Sequence, residues 1–207
     1  MRVMILSSLL ALAAVTAMPS KAMEFIEGQH YQTLETPLTD APSITEFFSF
    51  YCGSCYQHQA FNKIIEERWP GVLTKYHVSF LAPRNLGPEV QRAWAAAQLL
   101  GVDKEFSKAV FERNFVARDQ VASSAAMAAI FSDLGVSAER LKQTMSSFQV
   151  RSLSNRMVQA ERRYHVSGTP TYVVNGRYVM DNRAFRESSD FFADYLALAE
   201  YLLEKID

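Results

Sequence analysis

The chain has 207 residues, 49% hydrophobic and 21% charged, with a formal net charge of −1, the composition of an ordinary globular protein with a buried core. That near-neutral balance gives no global reason to expect a nucleic-acid partner. Two cysteines are too few for a disulfide scaffold.

The opening MRVMILSSLLALAAVTA combines a basic start at Arg2 with an apolar run from Val3 to about Ala17. Ser20 and Ala22 supply the small residues that precede a cut before Met23, and a cut after Ala17 competes with it. The run is short of the roughly 20 apolar residues that span a bilayer, which favours a cleaved secretory signal over residues 1–22 rather than an uncleaved anchor. Export would place the mature chain where disulfides are permitted.

HYQTLE alternates loosely and predicts a first strand. SITEFFSF (Ser43–Phe50) is almost continuously apolar, as a strand buried on both faces would be. Then Tyr56, Ala60 and Ile64, joined by Phe61 and Ile65, recur at helical spacing up to the stop WPG (Trp69–Gly71). VLTKYHVSF (Val72–Phe80) is the next strand, and this order predicts a βαβ unit with parallel pairing.

From Pro83 to about Tyr164 the pattern is almost wholly helical, with Asp103, Ser123 and Ser137 as expected N-caps and Gly101 and Gly135 as stops. Trp94 is expected inside this helical core. Strand signals return at TYVVNGRYVM, where Asn175-Gly176 marks a hairpin, and a last helix runs from about Ser188 to Lys205. The chain therefore reads as an α/β domain in two parts, 23–84 and 158–207, around an inserted helical domain, 85–157.

The two cysteines share one unit, Cys52-Gly53-Ser54-Cys55, between a strand and a helix. A disulfide there closes a loop too small to staple a fold, so the pair reads as chemistry. At a helix N-terminus the free N–H groups and the dipole favour the Cys52 thiolate, the reactive species. Cys55, one turn in and facing the core, is the resolving partner. A zinc half-site with His58 is the alternative, but His30, His77 and His165 lack partner spacing. Attached haem is disfavoured because Tyr56 stands where that motif needs histidine. Thr169-Pro170 directly precedes a strand, where a cis bond would expose backbone to an extended peptide; an ordinary trans proline on an edge strand is the alternative. Glu46 lies within an apolar strand and is costly to bury unpaired. With Lys75 on the next strand it is a candidate to handle the proton of Cys55, unless it faces solvent.

EFFSFYCGSCYQ, TKYHVSF and GTPTYVVNGRY closely resemble the DsbA family of periplasmic thiol:disulfide oxidoreductases, over essentially the whole mature chain. The resemblance implies a thioredoxin fold with an inserted helical domain, periplasmic location, and donation of a disulfide to reduced exported polypeptides. It implies re-oxidation by a membrane quinone-linked, DsbB-type partner. Carried onto this sequence, it makes Cys52 the nucleophile, Cys55 the resolving thiol, Thr169-Pro170 the cis-proline loop, and Glu46 with Lys75 a buried charged pair. From their place beside the cysteines, Tyr51 and Tyr56, with Phe50, are expected to line an apolar substrate groove, and aromatic core is the alternative. No metal and no cofactor beyond the Cys52–Cys55 pair is expected, no nucleic acid is bound, and the protein is expected as a monomer.

The chain also departs from the family. Gly53-Ser54 replaces the familiar proline-histidine, Gln59 replaces an acid, and Thr169 replaces a common valine. Without the loop histidine the Cys52 pKa should rise, giving a milder oxidant still rich in thiolate at neutral pH. A reductase or isomerase working in the dithiol state is the rival activity, and a chaperone-like peptide-binding module is a rival of another class. Arg151, Arg156, Arg162 and Arg163 on the longest predicted helix read as a solvated face, or as a dock for acidic clients.

Overall fold

The computed structural model describes residues 23–205, so the expected signal lies outside the described residues. Among these, one mixed sheet is built from β1 (Tyr31–Thr33), β2 (Ile44–Phe48), β3 (Leu73–His77), β4 (Thr171–Val174) and β5 (Tyr178–Met180), in the order β1-β5-β4-β2-β3. β2 and β3 pair in parallel across the expected strand–helix–strand unit, and the other neighbours are antiparallel. Asn175 and Gly176 both take positive φ, 50° and 67°, as the predicted tight hairpin turn requires.

β2 is the structural centre. Ile44, Glu46 and Phe48 point to one face and Phe47 to the other, and all four are fully buried. Ile44 joins a cluster with α2 (Gln59–Arg68) and α8 (Phe191–Glu204), while Phe48 joins the core of the helical insertion. Phe47 packs on the opposite face with Val78 and Val173.

The helix after the cysteines departs from its predicted form. It is two pieces, α1 (Gly53–Gln57) and α2, with His58 (φ −74°, ψ −3°) as the single residue between them. Of the residues that recur at helical spacing, Tyr56, Ala60 and Ile64 are exposed; the buried face of α2 is Phe61, Asn62 and Ile65. Hydrophobic spacing misjudged that face because Asn62 is drawn inward by the carboxylate of Glu46, to which its Nδ2 donates at 2.8 Å.

The insertion contains α3 (Gly87–Leu100), α4 (Asp103–Phe111), a π-helical turn (Glu112–Val116), α5 (Ser124–Asp133), α6 (Ala138–Met145) and α7 (Phe148–Arg163). Ser123 and Ser137 cap α5 and α6 as expected, each accepting a backbone N–H. Asp103 does not cap α4: Val102 holds that position, and Asp103 is the first helical residue, where its charge still complements the helix dipole. Trp94 is buried in the core of the insertion as expected, and its Nε1 donates to the Lys75 carbonyl at 2.9 Å, which ties that core to β3. α7 serves both halves, with Val150 and Met157 in the helical core and Ala160 and Tyr164 beneath Phe47. Its four arginines, Arg151, Arg156, Arg162 and Arg163, are exposed.

The start of α3 lies close against the backbone just after β3. A Cβ on Gly87 would lie 1.8 Å from the Ser79 carbonyl oxygen, a backbone atom that cannot swing away. Gly87→Ala is therefore expected to destabilise the protein by at least about 2 kcal/mol through overpacking, read as a lowered midpoint in chemical denaturation. An unchanged midpoint would contradict this.

Candidate active site

The segment between β2 and α1 is held from several sides before the cysteines are reached. Phe50 N–H donates to His77 Nε2 at 3.1 Å, and the other ring nitrogen of His77 donates to the Val78 carbonyl at 2.7 Å. Complete burial holds the His77 pKa down to about 3, so the ring is a neutral, fixed strut. Asn114, in the π-helical turn, donates to the Phe50 carbonyl and accepts from Val121 N–H, both at 2.8 Å. Tyr51 O–H reaches the Val121 carbonyl at 2.7 Å, and burial raises its pKa to about 12. Ser49 Oγ donates to the Leu81 carbonyl and accepts Tyr51 N–H. The helical insertion thus clamps the approach to the cysteines.

Cys52 takes the N-cap position of α1 with extended φ/ψ, and Cys55 is fully buried. Both are free thiols. Cys55 N–H donates to Cys52 Sγ at 3.3 Å, and Cys52 Sγ–H points to the Thr169 carbonyl at 3.4 Å. The Cys52 pKa falls from 9.0 to about 6, chiefly through the hydrogen bond from the Cys55 thiol, helped by the Thr169 side chain and by the backbone N–H groups of Cys55 and Ser54, against the opposing effect of burial. Cys55 is pushed strongly upward, first by burial, then by its hydrogen bond to Cys52 and the nearby charge of Glu46. These two sulfurs have opposite environments, so one ionises and the other keeps its proton. The sequence assigned this asymmetry to the helix terminus. With α1 only five residues long, the specific donors carry most of it.

Beneath the pair lies the charged network. Register places Glu46 beside Lys75 on β3 and Tyr172 on β4. Lys75 Nζ lies 3.6 Å from Glu46 Oε2, and Tyr172 O–H reaches Oε1 at 3.3 Å. Tyr172 O–H also bonds Asn62 Oδ1 at 2.7 Å. Gln59 stands between the network and the cysteines: its amide donates to the Cys55 carbonyl at 2.8 Å, and its oxygen accepts from Lys75 at 2.9 Å. Lys75 lies over the Phe48 ring, 4.9 Å from its centre. It forms part of the lining of a cleft of about 230 Å³ with Trp94, Ser107 and Lys108.

The Thr169–Pro170 bond is cis, and Pro170 is buried. A second pocket, about 390 Å³, begins at this loop and runs past Tyr164, Val179 and Arg183. Gly53 and Ser54 are exposed at the tip of the loop. Tyr51 turns toward the insertion, while Tyr56 is exposed and stacks on Phe115 with ring centres 5.5 Å apart. His58, considered above as a third zinc ligand, is turned away into a box of aromatic rings, and no group of three or more His, Cys, Asp or Glu side chains gathers among the described residues. Sequence reasoning missed Asn62, Tyr172, His77 and Asn114. Only Asn62, a polar residue between Phe61 and the apolar Ile64-Ile65, carries a local signal.

A half-exposed, acidic thiol backed by a buried one, next to a cis-proline on this sheet, defines a thioredoxin-type thiol–disulfide exchange protein. Comparison with known proteins agrees. A family model described as a DSBA-like thioredoxin domain matches residues 43–197. The chain is 36% identical over 205 residues to the thiol:disulfide interchange protein DsbA of Salmonella typhimurium, covering 95% of this chain and 97% of that one. The crystal structure of DsbA from Klebsiella pneumoniae superposes with a TM-score of 0.80 at 33% identity, covering 89% of this chain and all of that one. A Proteus mirabilis DsbA variant, solved with a non-covalently bound peptide PWATCDS, superposes with a TM-score of 0.78 at 33% identity, covering 88% of this chain and 100% of that one. The chain belongs to the DsbA-like thioredoxin family and is a protein-disulfide oxidoreductase.

The acidity difference has a direct readout. Alkylation of the reduced protein by iodoacetamide is expected to modify Cys52 alone, with a rate that rises to a plateau through a midpoint near pH 6. Because the folded pKa is depressed, the stability this ionisation gives the dithiol form is full above the ordinary thiol value of 9.0. It is lost as pH falls through about 6. A midpoint near 9.0, or equal labelling of Cys55, would contradict the assignment.

Proposed function

We propose that the protein is an exported oxidase that donates the Cys52–Cys55 disulfide to reduced polypeptides outside the cytoplasm. The observation carrying this reading is the opposition of the two thiols, Cys52 acidic and reachable, Cys55 buried and protonated. Stabilising the Cys52 thiolate stabilises the dithiol state, which makes the disulfide state the stronger oxidant.

In the exchange, a substrate thiolate attacks Cys52 Sγ of the enzyme disulfide. The enzyme S–S bond breaks as the mixed disulfide forms, and the electron pair leaves with Cys55. The buried Cys55 sulfur takes up a proton, and Glu46, Lys75 and Gln59 form the polar route between that sulfur's surroundings and the cleft above Lys75. A second substrate thiolate then attacks the substrate sulfur of the mixed disulfide and expels Cys52 as a stabilised thiolate. The substrate gains a disulfide, and the enzyme holds the two electrons as a dithiol.

Thr169 and Pro170 border Cys52 and the adjoining pocket, which supports their assignment to binding an extended substrate segment around its cysteine. Tyr56, exposed beside Phe115, suits the rim of that surface, with Gly53 and Ser54 giving close access to the sulfur. Re-oxidation by a membrane quinone-linked partner of the DsbB type completes the cycle. The protein acts as a periplasmic monomer after removal of residues 1–22. Among the described residues no helix is long and apolar enough to cross a membrane.

The test uses the oxidised mature protein and a reduced, unfolded two-cysteine peptide. Stoichiometric oxidation of the peptide is expected, with Cys52→Ser inactive and Cys55→Ser holding a mixed disulfide through Cys52 when it is offered the peptide with one cysteine as its glutathione disulfide, glutathione being the thiol expelled. Peptide left reduced by the oxidised wild-type protein, or full function retained by Cys52→Ser, would overturn the reading in favour of a dithiol reductase or a peptide-binding module, respectively.

A further inference from the structure

The loop between the cysteines carries no imidazole, yet one histidine is linked to the Cys52 sulfur by a longer path. His58 stands at the break between α1 and α2, 6% exposed, boxed by Phe61, Tyr172, Phe191, Phe192 and Tyr195. Phenylalanine would fill such a box without leaving a polar atom unpaired. The imidazole does leave one, because Nε2 is buried with no hydrogen-bond partner among the described residues. A buried, unpaired ring nitrogen is costly, so the single hydrogen bond that the ring does make needs a role.

That bond runs from Nδ1 to the Ser54 carbonyl, at 2.8 Å. A carbonyl only accepts, so Nδ1 carries the proton and Nε2 is the bare lone pair. Burial holds the ring below its ordinary pKa, opposed by the Ser54 carbonyl and the charge of Glu46, so it is neutral at pH 7. The Ser54 carbonyl and the Cys55 N–H are the two ends of one planar peptide group. Cys55 N–H is also the backbone donor lying 3.3 Å from Cys52 Sγ. The sequence of contacts is therefore His58 Nδ1–H to Ser54 carbonyl, through the peptide, to Cys52 sulfur. Donation to a carbonyl oxygen draws electron density from its own amide and strengthens that N–H as a donor. The backbone N–H of His58 donates to the same oxygen at 2.9 Å, so both its lone pairs are engaged.

We propose that His58 is a positioning residue of the exchange reaction: its Nδ1–H fixes and polarises the peptide group whose N–H holds the Cys52 sulfur, favouring the thiolate without touching it. The proposal rests on Cys52 being the exchanging sulfur.

The test compares reduced wild-type protein with His58→Phe, which fills the box but cannot donate, and His58→Asn, whose side-chain N–H replaces the Nδ1 donor. Thiolate absorbance is followed against pH, the glutathione equilibrium is measured, and folding is checked by circular dichroism. His58→Phe is expected to lower the thiolate-to-thiol ratio about threefold, the share of one net hydrogen bond transmitted through a peptide group. The glutathione equilibrium moves by the same factor toward a less oxidising pair, and His58→Asn recovers most of the change. A folded His58→Phe with wild-type values, or an Asn variant displaced as far as the Phe variant, would overturn the proposal. Should the Phe variant not fold, NMR of the wild-type protein decides. The His58 Nδ1–H and Cys55 N–H signals are expected to shift together as Cys52 ionises, and an Nδ1–H signal that stays still while Cys55 N–H moves overturns it. A wild-type protein with no ionisation below the ordinary thiol range would overturn the functional reading as well, which separates the two failures.

Discussion

A carboxylate with no solvent exposure at the middle of the sheet is the constraint on which the rest depends. Removing a charge from water costs several kcal/mol unless partners replace the hydration. Glu46 finds those partners on three elements: Lys75 from β3, Tyr172 from β4 and Asn62 from α2. Parallel pairing of β2 with β3 and antiparallel pairing with β4 bring the first two alongside, and α2 must turn a polar residue inward to supply the third. The same charge acts on Cys55 and helps to keep it a thiol. A protonated Cys55 is in turn the principal donor to the Cys52 sulfur. Acidity at the surface is thus arranged by a charge buried beneath it.

The helical insertion contributes rigidity rather than reactive groups. Asn114, Tyr51 and Trp94 tie it to the Phe50 carbonyl, to the strand-to-helix segment and to β3, and His77 holds the Phe50 N–H from below. These bonds leave the active-site loop little freedom, so the donors around Cys52 are in place before ionisation. Preorganised donors of this kind favour charge without a reorganisation cost when it forms.

Much of this was legible in the chain itself. The parallel strand–helix–strand unit, the inserted helices, the Asn-Gly hairpin and the Cys52–Cys55 unit all follow from local spacing and turn chemistry, and the resemblance joined Glu46, Lys75 and Pro170 to that unit. What stayed hidden is polar and non-local. Asn62 faces inward because of a residue on another element, which hydrophobic periodicity cannot score. Tyr172 looks like an ordinary strand aromatic until the register places it against Glu46, and His77 gives no sign in sequence that both its nitrogens are spent on backbone groups. His58 was weighed as a metal ligand, whereas its ring is turned to the Ser54 carbonyl.

The departures from the family bear on strength rather than kind. Gln59 bridges Lys75 to the Cys55 carbonyl. With Gly53-Ser54 between the cysteines, the thiolate relies on Cys55, Thr169 and backbone N–H groups. The most direct measurement is the reduction potential of the Cys52–Cys55 pair, from equilibration with glutathione buffers and thiol trapping. The expected result is a pair more oxidising than about −200 mV, on the oxidising side of the glutathione pool of an oxidising compartment. A value near about −270 mV, that of a thioredoxin-like reductant, would contradict it.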